Sequence, residues 1–433
     1  MNRYIILLLY GLLVSCQQDG ETYIFPAQTP NTLIDSTSYG IGPCEPSIFI
    51  NPNDPSNIVA GSVLSQVHIS RDTGKTWITK TLKSPYGVYG DPVITADTEG
   101  TFYFAHLSDP DHKGWTSKRL LDRIVVQRSD DGGTTWNDGG YAGLNHPKDQ
   151  DKQWLVTNPN NQQVYMTWTE FDVYGSRADT AKSRILFSKS TDKGETWSKA
   201  IMLSEKEGDC IDDDKTTEGA VPAIGLNGEI YVAWSYHDTI YFDKSLDDGK
   251  TWLAKDLVVA EQPGGWNYEI EGLGRANGMP ITAVHPTSGK IFINWTDQRN
   301  GEDDIDVWIT SSDDGGNTWE TPKRVNDDKT KTQQFFTWMS IDPVSGGIFI
   351  VFYDRRHHED DHTDVYVAYS FDEGQTFTNQ KISETPFLPT TGNFFGDYNN
   401  ISAYNGIVRP IWTRADSTKL SVWTALINIK KQE

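Results

Sequence analysis

The stretch Ser129-Asp130-Asp131-Gly132-Gly133-Thr134-Thr135-Trp136 decides the fold, because the chain repeats its frame. Ser-x-Asp-x-Gly-x-Thr-aromatic returns at Ser70 to Trp77, Ser190 to Trp197, Ser245 to Trp252, Ser312 to Trp319 and Ser370 to Phe377. Successive Ser positions are 59, 61, 55, 67 and 58 residues apart. Self-similarity at a long, nearly fixed period marks a repeat architecture. Asp and Gly close a tight turn, the Ser and Thr hydroxyls bond its backbone, and the aromatic anchors it in the core.

Around each turn the chain reads as four short strands. The second strands are the clearest: Thr101 to Ala105, Gln163 to Thr169, Glu229 to Ser235, Lys290 to Thr296, Gly347 to Tyr353 and Ile407 to Thr413. Four strands per unit, arranged in a ring, is an all-β fold, a β-propeller. The composition agrees: 15 Trp, 19 Tyr and 17 Phe, with frequent Gly and Pro and no long helical periodicity. Strand sets number seven, because Asn400 to Leu426 forms a set with no Asp turn after it. That set lacks a fourth strand, which the segment around Thr32 to Ser38 can supply to close the ring. Seven blades are therefore favoured over six, with residues 44–433 as one propeller, residues 17–43 as tether and closing strand, and no linker or second domain.

The six turns resemble the Asp box of the sialidase superfamily over about residues 45 to 380. In that superfamily the boxes lie on the face away from the active site and are structural, so they identify architecture and not reaction. The start of the chain resembles a bacterial lipoprotein leader. Arg3 supplies the charge, Ile5 to Leu13 the apolar run, and Leu13-Val14-Ser15-Cys16 a lipobox ending. This implies cleavage before Cys16, lipidation of its thiol, and a cell-envelope location on the periplasmic or outer surface; a plain signal peptide is the alternative. Membrane contact would be through that anchor only. Net charge is −22, from 60 acidic against 38 basic residues, which repels nucleic acid and anionic lipid. A monomer that takes a glycan or polysaccharide as partner is the expectation. Cys44 and Cys210 read as buried or free thiols, or as one bridge.

Three stretches stand out where loops depart from the repeat, and loops are where function concentrates. The segment Gln262 to Met279 carries Trp266, Tyr268, Glu269, Glu271 and Arg275, and alternating rings and carboxylates suit a sugar. Three second strands end alike, in Asp297-Gln298-Arg299, Asp354-Arg355-Arg356 and Arg414. Converging guanidinium groups bind a carboxylate bidentately; alternatively each Asp-x-Arg is a salt bridge within the propeller. The stretch Phe394-Phe395-Gly396-Asp397-Tyr398 pairs an acid with a phenol at a strand mouth. The sialidase resemblance implies Tyr398 as nucleophile, Glu269 or Glu271 as its helper, Asp91 as an early-blade acid, and Arg299, Arg356 and Arg414 as the Arg set on a substrate carboxylate. The residues themselves offer Asp397 as acid/base, Arg355 as a further substrate-binding group, and Trp266 and Tyr268 as stacking rings. Two features depart from sialidases: no Arg stands in Pro43-Cys44-Glu45-Pro46-Ser47, and a seventh blade is present.

The acidic runs 209–214 and 302–306 carry oxygen ligands suited to calcium. Neither has EF-hand spacing, both read better as solvated loops, and the His357-His358 tip reads as exposed. No cofactor or metal is expected. The functional expectation is an exo-glycosidase acting on terminal sugars, acidic ones such as sialic acid included. A non-catalytic glycan- or protein-binding propeller and a uronic-acid polysaccharide lyase are the alternatives.

Overall fold

The computed structural model describes residues 23–37, 41–390 and 394–432, so the leader and Cys16 lie outside the described residues. Seven antiparallel sheets make seven blades, six of four successive strands each and a seventh of five that draws one strand from the start of the chain. The innermost strands are Ser47–Ile50, Val93–Ala96, Asp149–Thr157, Glu218–Ile224, Ile281–Val284, Gln334–Ile341 and Asn400–Tyr404. Each touches the next and the seventh touches the first, so the ring is closed. The second strands begin within one residue of their expected starts, from Phe102–Leu107 to Ile407–Asp416. They are buried throughout or nearly so, which is why their apolar runs were legible.

The seventh blade takes its outer strand from the other end of the chain. Asn31–Thr37 runs antiparallel to Lys419–Ala425, with Asn31 opposite Ala425 and Thr37 opposite Leu420. A strand from one terminus completing a sheet begun at the other removes both free edges of the ring. Tyr23–Ile24 adds a second tie by pairing with Lys430–Lys431.

All six Asp turns adopt one hydrogen-bond pattern. In the first, Ser70 Oγ donates to Asp72 Oδ1 at 2.9 Å and accepts from the Gly74 amide at 2.8 Å. The Thr76 amide and hydroxyl then donate to the two Asp72 oxygens at 2.9 and 2.7 Å. The same bonds recur around Asp131, Asp192, Asp247, Asp314 and Asp372. The Gly is required by sterics: Gly249 sits at φ +74°, and a Cβ there would lie 2.5 Å from the Phe187 ring of the preceding blade. The turns also stitch blades together, since Lys189 Nζ and Lys244 Nζ each donate to a backbone carbonyl of the next turn, Asp248 and Gly315, at 2.7 Å.

These hydrogen bonds hold the six turn carboxylates below their ordinary value. For Asp72, Asp131, Asp192 and Asp372 burial pulls upward and the hydroxyl and amide donors outweigh it. The Thr251 hydroxyl and then its amide hold Asp247 at about 2, and the Thr318 amide and hydroxyl do the same to Asp314. A depressed folded pKa stabilises the fold above the unfolded value and is lost as pH falls toward the folded one. The melting temperature is therefore expected to drop between about pH 4 and pH 2, with a shallower drop in Asp131→Asn. An equally steep drop in that variant would contradict the assignment.

Candidate functional site

A propeller brings the start of every innermost strand to one end of its axis, and here those positions are charged and conformationally constrained. Glu45, Asp91, Lys152 and Phe336 stand at the lead-in of four inner strands with φ of 48°, 48°, 50° and 50°. Non-glycine residues in the left-handed region cost of order 1–3 kcal/mol each and persist where surrounding structure enforces them. Three inner strands carry a bulge at this point, between Asp151 and Trp154, Glu218 and Val221, and Phe335 and Trp338. Such bulges re-aim side chains.

The result is an axial pocket of about 260 Å³ lined by Glu45, Tyr89, Asp91, Trp115, Asp151, Lys152, Tyr174 and Arg275, with Leu64 and Phe394 at its rim. It lies at or just below the size of an ordinary small-molecule site, which suits a single sugar ring. Trp115, on the one-turn helix Gly114–Thr116, is 67% exposed and stacks on Tyr174 with centroids 5.7 Å apart. Tyr89 meets it edge-on. Below, Trp154 and Trp338 from opposite sides of the ring approach to 4.3 Å and Tyr398 meets Trp154 edge-on at 5.4 Å. Both Trp rings line a second axial cavity of about 240 Å³ between the inner strands.

One ion-pair network fills the floor. Lys152 Nζ donates to both oxygens of Asp397, at 3.2 and 3.0 Å, and lies 3.6 Å from Asp91. Arg275 pairs with the same Asp397 oxygen and sits 3.6 Å from Asp212. Asp212 also accepts from Tyr174 OH at 2.8 Å and Trp266 Nε1 at 3.1 Å. Burial pulls Asp397 upward, but Arg275 and Lys152 outweigh it and hold the carboxyl well below its ordinary range. Lys152 and Arg275 are raised in turn: burial pulls each down and Asp397 more than reverses it.

Three other carboxyls behave oppositely. Burial first, then the Asp91 carboxylate, pushes Asp151 up to about 8. Burial and then Asp91 raise Glu45 well above its ordinary value. Burial and then Asp212 do the same to Glu218, whose carboxyl shares a hydrogen bond with Asp212. Carboxyls driven apart by their surroundings are the arrangement in which one donates a proton and another stays ionised.

Of the residues expected from sequence, Asp91 lines this pocket and Asp397 anchors its floor. Tyr398 does not reach the pocket: it is 4% exposed under the floor, and its hydroxyl lies in a void of about 10 Å³, unpartnered. Burial and then Asp91 raise its phenol well above the ordinary range. Glu269 and Glu271 are exposed, and neither lines the pocket. Trp266 supports Asp212, whereas Tyr268 is buried and donates to the Asn277 carbonyl at 2.7 Å.

The expected Arg set does not converge. Arg299 folds onto Asp297 (Nε to Oδ1, 2.9 Å), Arg356 onto Asp354 (Nε to Oδ2, 2.8 Å) and Arg414 onto Asp416 (Nε to Oδ2, 2.6 Å). Asp297 and Asp354 end their strands and accept the backbone amides of Arg299 and Arg356, a tight turn that brings each guanidinium back onto the same carboxylate, whereas Arg414 and Asp416 lie on one side of one strand. Arg355 is spent on Thr363 Oγ1 at 3.2 Å and the Glu271 carbonyl at 2.7 Å. Cys44 and Cys210 are free and buried. Among the described residues no group of three or more His, Cys, Asp or Glu is arranged to hold a metal ion.

Glu45, Asp151, Lys152, Tyr174 and Glu218 were missed from sequence, and Asp212 was read as part of a solvated run. A signal existed: Glu45, Asp91, Asp151, Lys152 and Glu218 each stand just before or within the first residues of an inner strand. That pattern has meaning only once the ring places those positions together.

Fold and site define a seven-bladed β-propeller with a charged pocket on its axis. No protein-family model matches the chain, and no curated protein matches it. Among solved structures, an ulvan lyase bound to -[GlcA(1-4)Rha3S]- is similar at TM-score 0.53 and 12% identity, over 90% of this chain and 95% of that one. The NanB sialidase of Streptococcus pneumoniae is similar at TM-score 0.52 and 11% identity, over 86% and 83%. The Hadza microbial sialidase Hz136 is similar at TM-score 0.50 and 14% identity, over 88% and 75%. At such identities the likeness is one of fold.

Proposed function

We propose that the protein removes terminal sugars from glycans as an exo-acting glycoside hydrolase at the axial pocket. Asp151 would protonate the leaving oxygen, and Asp91 would meet the positive charge developing at the anomeric carbon. The observation that carries this reading is Asp151, a buried carboxyl held protonated to about pH 8 beside the Asp91 carboxylate. Trp115 and Tyr174 offer rings on which the apolar side of a sugar stacks. Lys152 and Arg275, bonded to Asp397, close the pocket on the axis side, which favours a chain end over a chain interior.

A second reading has its own observation. Tyr174 OH donates to Asp212 at 2.8 Å, which is a phenol backed by a carboxylate, the pair that the sialidase resemblance had assigned to Tyr398. Burial and then Asp212 hold that phenol protonated, so Asp91 is the better nucleophile. The two readings separate by substitution on a panel of chromogenic glycosides. Asp91→Asn is expected to lower kcat/KM by about a thousandfold, Tyr174→Phe by about tenfold or less, and Tyr398→Phe hardly at all. A larger loss in Tyr174→Phe than in Asp91→Asn would transfer the role to the phenol. Binding of glycans with no release from any glycoside would leave a binding propeller instead.

A further inference from the structure

We propose that the axial pocket selects an uncharged terminal sugar and excludes one bearing a carboxylate or sulfate. The proposal rests on the hydrolase reading for what happens to the sugar, and on the pocket's charge for which sugar enters. Six carboxyl groups surround the pocket and its floor: Glu45, Asp91, Asp151, Asp212, Glu218 and Asp397. They meet two cations, Lys152 and Arg275, and both are already bonded to Asp397. Lys152 is 4% exposed at its side chain and has two hydrogen bonds to Asp397, so turning to a ligand would cost it both and leave Asp397 with Arg275 alone. Arg275 is committed to Asp397 through Nη2, which also lies 3.6 Å from Asp212.

No other cation stands in reserve among the described pocket residues. Arg299, Arg355, Arg356 and Arg414 are each tied to protein acceptors away from the pocket lining. Burial raises the Glu45, Asp151 and Glu218 carboxyls, and the other three, Asp91, Asp212 and Asp397, by themselves outnumber the two cations. A sugar hydroxyl can donate to Asp91 or accept from protonated Asp151, whereas a ligand carboxylate finds acceptors and a like charge.

The test compares nitrophenyl glycosides of glucose, galactose and mannose, in both anomers, with the matching uronides, which differ only at carbon 6. The expected result is at least about a hundredfold higher kcat/KM for the neutral member of the pair that is turned over, on the scale of one unscreened charge met in a protein interior. Asp212→Asn removes one carboxylate and loosens Arg275, and is expected to narrow that ratio by about tenfold. Equal or better turnover of the uronide, or a ratio unmoved in Asp212→Asn, overturns the proposal.

If no glycoside is cleaved, the hydrolase reading fails separately, and binding decides the present one. Saturation-transfer NMR with the methyl glycosides and methyl uronides should then show contact for the neutral sugars only. Contact with the uronides, or with neither set, overturns it.

Discussion

Asp151→Asn is expected to lower kcat/KM by about a hundred- to ten-thousandfold while leaving KM nearly unchanged, because it removes the proton donor without changing the shape of the pocket. The pH profile carries the more specific signature. A group that acts as an acid must hold its proton, so activity should persist below pH about 8 and fall above it, following the raised Asp151 carboxyl. The residual activity of Asp151→Asn should lack that alkaline limb. Stability should move the other way. A carboxyl whose folded value lies above its unfolded one, about 3.9, stabilises the fold fully below the unfolded value and loses that contribution as pH rises through the folded value. The wild type should therefore lose melting temperature between about pH 4 and pH 8 from this group, and the Asn variant should melt higher than wild type near pH 8. An active variant that keeps the alkaline limb would remove Asp151 from the chemistry.

Asp397→Ala is expected to destabilise the protein by about 3–5 kcal/mol, the usual cost of removing one partner of a buried ion pair. Asp397 is 1% exposed and serves two cations at once. Without it, the Lys152 ammonium retains Asp91 at 3.6 Å, and the Arg275 guanidinium retains Asp212 at 3.6 Å. Urea unfolding at neutral pH measures the loss as a lower midpoint with unchanged slope. Adding Lys152→Met to Asp397→Ala should recover part of it, since one stranded charge is then gone. A loss below about 1 kcal/mol would show that Asp397 does not hold the network together.

The two variants probe one design. Asp397 gathers Lys152 and Arg275 at the floor of the pocket, and its carboxylate offsets the positive charge that either would offer a ligand. Asp151 sits beside them in a buried position where ionisation is penalised. Stability and candidate chemistry are drawn from the same buried charges, and relieving Asp151 is expected to raise one while abolishing the other.

How far the sequence led can be judged residue by residue. Ser129 to Trp136 and its five copies announced the blades, and Asn400 to Leu426 announced a seventh, because turns and buried strands are set by local chemistry. A Gly at positive φ, a Ser and Asp around it and an apolar run of five to eight residues depend on near neighbours only. The strand that closes the ring was placed to within one residue, at Asn31–Thr37, since a strand set lacking its fourth member has one other terminus to draw on. Asp91 and Asp397 were named as candidates, and both reach the pocket or its floor.

The partners of each charged group could not be read from the chain. Arg299, Arg356 and Arg414 looked like a set because they share a motif. Their geometry makes them three separate pairs, since Asp297 and Asp354 turn the chain at their strand ends and draw Arg299 and Arg356 back, and Arg414 sits beside Asp416 on one strand. Glu45, Lys152, Glu218 and Asp397 lie tens to hundreds of residues apart and have no shared motif. They meet because seven inner strands begin at one end of one axis, and only closure of the ring brings those beginnings together. Local interactions specified the blades; long-range convergence, with the burial it imposes on charge, decided the site.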